Sequence, residues 1–215
     1  MVNFLLLLEK VINYSKDDID KGETPLIVYK ICSCIRETFC LSYAIRKNNV
    51  LYLYFQKEHF LIKFEGTELR FLGPDERSQA ILLNKILNKV HEKGVKENIH
   101  WIMSTPGIYG KKFTQDLEFI SFFSSIPYDK INLILDGYNN LNENTDLINL
   151  DKILDPINEL DFFIIPAYNI QENNKNLIEL LKQLKSVKIV SLSMIKSIED
   201  KILYINYRKD QQNIM

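Results

Sequence analysis

Two lysines, Lys111 and Lys112, follow the turn-rich run Ser104-Thr-Pro-Gly-Ile-Tyr109. A Pro-Gly turn presents backbone N–H groups, and two cations beside it suit the phosphates of a nucleic acid. A plain turn with solvated lysines is the ordinary alternative, and both stay open on the residues alone. Arg77, in Pro74-Asp-Glu-Arg77, could meet a phosphate or a cofactor, or pair with Asp75 or Glu76 in a first helical turn. Arg46, Lys47 and Arg70 would extend a basic patch or are surface charge. Asp136-Gly137 ends an apolar run, where open α/β sheets hold ligands beyond the carboxyl ends of strands. His100 and Trp101 could stack on a base, although a packed Trp and a bonded His are common.

Other chemistries are excluded or disfavoured. The seven glycines form neither the dinucleotide fingerprint nor the phosphate loop. Cys32, Cys34 and Cys40 fall in one apolar stretch that reads as a buried helix, which suits core filling and a reducing, cytoplasmic compartment rather than disulfides. His59, His91 and His100 are scattered, so no four-ligand metal set is completed and no metal is expected. The apolar run after Asn3 is too short for a signal core or a membrane span, so no membrane contact is expected. A net charge of −1 gives no overall footprint for DNA or RNA, so any RNA contact comes from a local patch.

These residues need elements to hold them. Residues 15–24 read as a polar connector, and Pro25 opens a helix to about Tyr43. Val50–Phe55, His59–Phe64 and Glu68–Leu72 read as strands. Gly73-Pro-Asp-Glu-Arg77 leads into a helix with Ile81, Leu82, Ile86, Leu87 and Val90 at helical spacing, and Gly94 ends it. Beyond residue 131 come three continuous apolar runs, Ile131–Leu135, Phe162–Ile165 and Val187–Leu192, of the kind buried on both faces of a parallel sheet. An Asn-rich stretch, 139–149, reads as a surface loop, Asn176–Leu184 as a helix, and Ile202–Tyr207 as a last apolar run. The alternation predicts an α/β layer fold with a mostly parallel sheet flanked by helices, in one domain over 1–215.

Three segments in this order resemble the TrmY family: Leu41-Ser-Tyr-Ala-Ile-Arg-Lys47, the run Phe64-Glu-Gly-Thr-Glu-Leu-Arg-Phe-Leu-Gly-Pro-Asp-Glu-Arg-Ser78, and Ser104 to Tyr109. That family comprises tRNA pseudouridine-54 N1-methyltransferases of the SPOUT class. The resemblance implies an α/β knot with a C-terminal trefoil over about 131–207, a homodimer, S-adenosylmethionine as methyl donor and tRNA as partner. It implies a donor pocket of three loops. These carry over to Leu133, Asp136 and Gly137, to Pro166, and to Val190, Ser191, Leu192, Ser193 and Met194, with Ile202 beyond them. It implies RNA contacts at Arg46, Lys47, Arg70, Arg77, Tyr109, Lys111 and Lys112.

The second loop has Pro166, Ala167 and Tyr168 where the family has Gly followed by Asp and His. Ile202 stands at a family cysteine, and Leu26, Ile27, Val28 and Tyr29 stand at a family Gly-Arg-x-Asp. Two functions follow: an N1-methyltransferase acting on the T-loop pseudouridine, or a SPOUT-fold RNA-binding or dimerisation protein that no longer takes the methyl donor. No catalytic residue is named.

Overall fold

The computed structural model describes residues 2–93, 100–136, 148–149, 156–167 and 175–212. Among these residues nine strands form one sheet: β1 (Asn3–Leu8), β2 (Val50–Phe55), β3 (Phe60–Glu65), β4 (Ile102–Thr105), β5 (Ile108–Lys112), β6 (Ile131–Ile134), β7 (Ile148–Asn149), β8 (Phe162–Pro166) and β9 (Val187–Ser191). Their order is β4-β5-β3-β2-β1-β8-β6-β9-β7. Six helices accompany them among the described residues: α1 (Lys16–Asp20), α2 (Leu26–Phe39), α3 (Glu76–Lys93), α4 (Asp116–Ser124), α5 (Lys175–Lys182) and α6 (Ile198–Gln212).

β1 lies mid-sheet because every side chain in it is buried. Phe4, Leu6 and Leu8 enter one core with α2, α3 and α6, while Leu5 and Leu7 enter the other with α4 and α5. Alternation of side chains across a strand makes such a run apolar throughout when both faces are covered. The half from β2 to β7 by way of β1 is parallel; β2–β3, β3–β5 and β4–β5 are antiparallel. Five of the eight pairings are parallel, so the sheet is mostly parallel, with an antiparallel part at the β4 end.

Several expectations are corrected. Residues 15–24 include α1, because Ser15 and Asp18 form a reciprocal capping box. The Pro25 helix ends at Phe39, short of Tyr43. Glu68–Leu72 is no strand: Glu68 and Leu69 turn back to donate to the Glu65 carbonyl at 3.1 and 2.9 Å, and Phe71 adopts φ +66°. The turn expected at Ser104–Tyr109 is present, as the tip of the β4–β5 hairpin with Gly107 at φ +83°. Residues 202–207 lie within α6, where Lys201, Ile202, Ile205 and Asn206 are buried at helical spacing. The 139–149 stretch lies outside the described residues apart from β7, which pairs with β9 instead of forming loop. α4 had no counterpart in the pattern reading.

Asn49 joins three elements at the start of β2. Its side-chain oxygen accepts the Val2 N–H at 3.1 Å, and its amide donates to Thr38 O and Asn206 Oδ1, both at 2.9 Å. Asn206 in turn donates to Glu37 O at 2.8 Å. An Asn49→Ala variant strands these buried groups, so unfolding in urea should show a loss of about 3 kcal/mol. A loss under about 1 kcal/mol would mean that water replaces the amide.

Candidate functional site

The parallel strands place Leu8, Phe55, Ile134, Pro166 and Ser191 along one carboxyl edge of the sheet. Asp136 follows β6 there. Its Oδ1 accepts the N–H of Leu192, the residue after β9, at 3.0 Å, and its Oδ2 holds the Nζ of Lys201. Lys201 is only 6% exposed. One carboxylate thus ties the first loop to the third and to α6. A buried lysine is tolerated only with such a partner.

Sequence reading missed Lys201 because it sits beside Ile202 in what looked like an apolar run. Ile202 itself is fully buried in the core. The available signal was a lysine at the start of that run, which has no reason to be buried without a carboxylate to meet.

Leu133, Val190 and Leu192 are buried, Ser191 is half-buried, and Ser193 and Met194 are exposed. Gly137 and Tyr168 lie outside the described residues. Pro166 ends β8. The N–H of Phe162 donates to Lys130 O at 2.9 Å on the β6 side, whereas that of Ala167 donates to Leu7 O at 2.8 Å on the β1 side. The ladder phase therefore turns the nitrogen of residue 166 toward β6, and proline has no proton to give. The β6–β8 pairing accordingly stops at Leu133↔Ile164. Proline here opens the sheet between two of the three loops. An open strand end beside a partly exposed carboxylate fits an adenosyl ligand carrying a cationic sulfur. α2 ends beside the start of β2, so its first turn, with Leu26 to Tyr29, faces this same edge. A cleft of about 810 Å³ flanks the third loop, lined by Met194, Lys196, Ser197, Asp200, Leu203 and Tyr207 among others.

The residues expected to touch RNA lie largely at the other edge. Register places Ile108 opposite Phe64 and Val50 opposite Glu65, so the β4–β5 tip, the 46–49 segment and residues 66–70 share the amino edge. Tyr109 donates its hydroxyl to Glu68, which with partial burial pushes its pKa up to about 12. Lys111 faces the rings of Phe122 and Phe113, 4.7 and 5.5 Å from their centres. Lys112 points to the opposite face, where it lines a 520 Å³ cavity with Glu58, Asn88 and His91. Strand alternation splits the two lysines, so they do not form one cationic pair.

Arg46 makes two 2.7 Å bonds to the Asp210 carboxylate. Arg77 meets Asp20 at 2.6 Å, neither of the acids beside it, and Asp75 instead caps α3 by accepting the Ser78 N–H at 2.8 Å. Lys47 and Arg70 are exposed and in no ion pair among the described residues. Trp101 packs edge-on to Phe122 and Tyr109, and His100 is exposed. None of the three cysteines is in a disulfide, and burial pushes the Cys32 thiol up to about 12, which makes it unreactive.

Residues 26–193 match the model of a family described as "Putative SAM-dependent RNA methyltransferase". The chain belongs to that family, the TrmY family. The tRNA (pseudouridine(54)-N(1))-methyltransferase of Methanocaldococcus jannaschii is 41% identical over 85 residues, 38% of this chain and 42% of that protein. Its counterpart from Haloferax volcanii is 42% identical over 80 residues, 37% and 39% of the two chains. The match spans about two fifths of the length of these curated TrmY relatives. The fold is similar to that of Archaeoglobus fulgidus Nep1, solved bound to S-adenosylhomocysteine, with a TM-score of 0.54, 13% identity, and coverage of 100% of this chain and 99% of that one. At that identity the likeness concerns the fold alone. No helix among the described residues is long and apolar enough to cross a membrane.

Proposed function

We propose that this TrmY-family chain is an S-adenosylmethionine-dependent tRNA methyltransferase acting on N1 of the T-loop pseudouridine at position 54. The observation that carries this reading is the 41–42% identity to enzymes of that name within a chain that matches the RNA-methyltransferase family over residues 26–193. The convergence of Asp136, Leu192 and Lys201 at the carboxyl edge supports it. S-adenosylmethionine supplies, when bound, an electrophilic methyl group on a cationic sulfur.

The chain's own residues then orient and balance charge. Asp136 holds the third loop in place. Lys201 pairs with Asp136 and fixes the direction of its carboxylate. The target base is turned out of the T-loop to reach this edge, as base-modifying enzymes require.

The reading includes one domain over 1–215, a threaded C-terminal segment, a cytoplasmic setting and a homodimer. β9 is inserted between β6 and β7, strands laid down earlier in the chain, which supports a knot. Cysteines outside any disulfide accord with a reducing compartment. Arg46, Lys47 and Arg70 lie at the amino edge, away from the donor loops, and Met194, Leu203 and Tyr207 are exposed apolar side chains beside the cleft. A second copy seated there would cover them and bring an RNA-binding edge toward the donor loops.

Calorimetry with S-adenosylmethionine should give micromolar binding, and a T-arm transcript should accept a methyl group when it carries pseudouridine and not uridine. No heat at millimolar donor would defeat the reading and favour the RNA-binding alternative. Equal transfer to both transcripts would defeat the assigned substrate. Sedimentation of the same sample should give twice the chain mass.

A further inference from the structure

Among the described residues three non-glycines hold positive φ: His59, Phe71 and Ser186. His59 is explained locally, since its Nδ1 lies 3.2 Å from the Asp116 carboxylate, which also accepts bonds from Tyr54 and Gln56. Phe71 has no such account. Its ring is 77% exposed while its backbone sits at φ +66°, where a Cβ crowds the following carbonyl. A bulky apolar side chain held in a disfavoured conformation and left in water is an outlier that calls for a use.

The segment is pinned on both sides. Leu69 is buried with its backbone against Gly107, and the Gly73 carbonyl accepts the Gln79 amide at 3.1 Å and the Cys40 thiol at 3.8 Å. The Cys40 contact also brings the 41–44 turn to this junction, closed by Leu41 N–H to Ala44 O at 2.8 Å. Tyr43 at its tip is fully exposed. Arg70 adjoins Phe71 and Lys47 stands four residues after Tyr43; both are exposed and in no ion pair among the described residues.

Exposed aromatic rings interleaved with unpaired cations are the chemistry that holds unpaired nucleotides, bases stacking on the rings and phosphates meeting the cations. We propose that Phe71 is a stacking platform for an unpaired base of the bound RNA, with Tyr43 offered from the neighbouring turn, and that Arg70 and Lys47 take the flanking phosphates. The proposal rests on the tRNA-methyltransferase reading and adds to it where the loop is gripped.

Phe71→Gly is the informative variant, because it removes the ring and relieves the φ strain together. Full-length protein is titrated by fluorescence anisotropy with a T-arm stem-loop, the same stem as a perfect duplex, and a single-stranded oligouridine. Phe71→Gly and Phe71→Ala should bind the stem-loop and the single strand about tenfold more weakly and the duplex unchanged. Phe71→Trp should bind as the wild type does, and the melting temperature of Phe71→Gly should equal or exceed that of the wild type.

Undiminished stem-loop affinity in Phe71→Gly overturns the platform. So does a changed oligomeric state with RNA affinity intact, which would assign the ring to a second copy. Methyl transfer is measured on the same samples. A wild type that transfers no methyl yet binds the loop through Phe71 leaves the platform standing and removes the enzyme reading. A Phe71→Gly protein that binds and methylates like the wild type does the reverse. A wild type that binds none of the three RNAs overturns both.

Discussion

Lys201→Met is expected to weaken S-adenosylmethionine binding at least tenfold. Methionine keeps the buried stem and removes the charge. Asp136 would keep only the Leu192 N–H, and the carboxylate would face a largely enclosed site. Breaking a fully buried pair costs about 3–5 kcal/mol. The Asp136 side chain is 28% exposed, so water offsets part of this and about 2 kcal/mol of stability should be lost. The larger effect falls on the pocket, because the third loop loses the anchor that sets its distance from the first. Adding Asp136→Asn should recover stability by removing the stranded charge without restoring donor affinity, and a double-mutant cycle by calorimetry and urea unfolding measures both. Wild-type donor affinity in Lys201→Met would reduce the pair to a structural strut.

Gly107→Val should destabilise the protein by about 4 kcal/mol, from a strained backbone conformation together with overpacking. At φ +83° a Cβ on residue 107 would lie 2.5 Å from Leu69 N, 2.6 Å from Leu69 Cα and 2.8 Å from Glu68 C. All three are backbone atoms, so no side-chain rotation relieves the clash. Gly22 provides the control: its φ is +74°, yet no atom lies within 4 Å of an added Cβ. Gly22→Ala should therefore cost only about 1 kcal/mol, the conformational part alone. Urea unfolding of the pair separates strain from collision, and equal losses would show that φ alone decides.

The sheet was legible wherever a strand is buried on both faces, since Phe4 to Leu8 and Phe162 to Ile165 can be apolar throughout for no other reason of comparable force. The antiparallel β2–β3 pair was legible but unread, since the four residues 56–59 are too few for a parallel crossover, whereas nothing in β5 shows that it meets β3. α6 was misread because its apolar residues are few and one of its inward positions is Lys201. At the candidate site, Asp136 announced itself by standing after an apolar strand, whereas its partners come from residues 56 and 65 positions away and leave no local trace. Lys111 and Lys112 looked like a pair because adjacency in sequence is visible and the pleat that separates them is not.

β1 is flanked by a strand that begins at Val50 and by another that begins at Phe162. During synthesis β1 leaves the ribosome before either neighbour and waits for the second through more than a hundred residues after the first. At roughly 5–20 residues per second that interval is on the order of ten seconds. For that time a Phe-Leu-Leu-Leu-Leu edge has unpaired backbone groups on one side, the condition under which nascent strands pair with the wrong chain. The centre of the finished sheet is thus an exposed edge of the unfinished one.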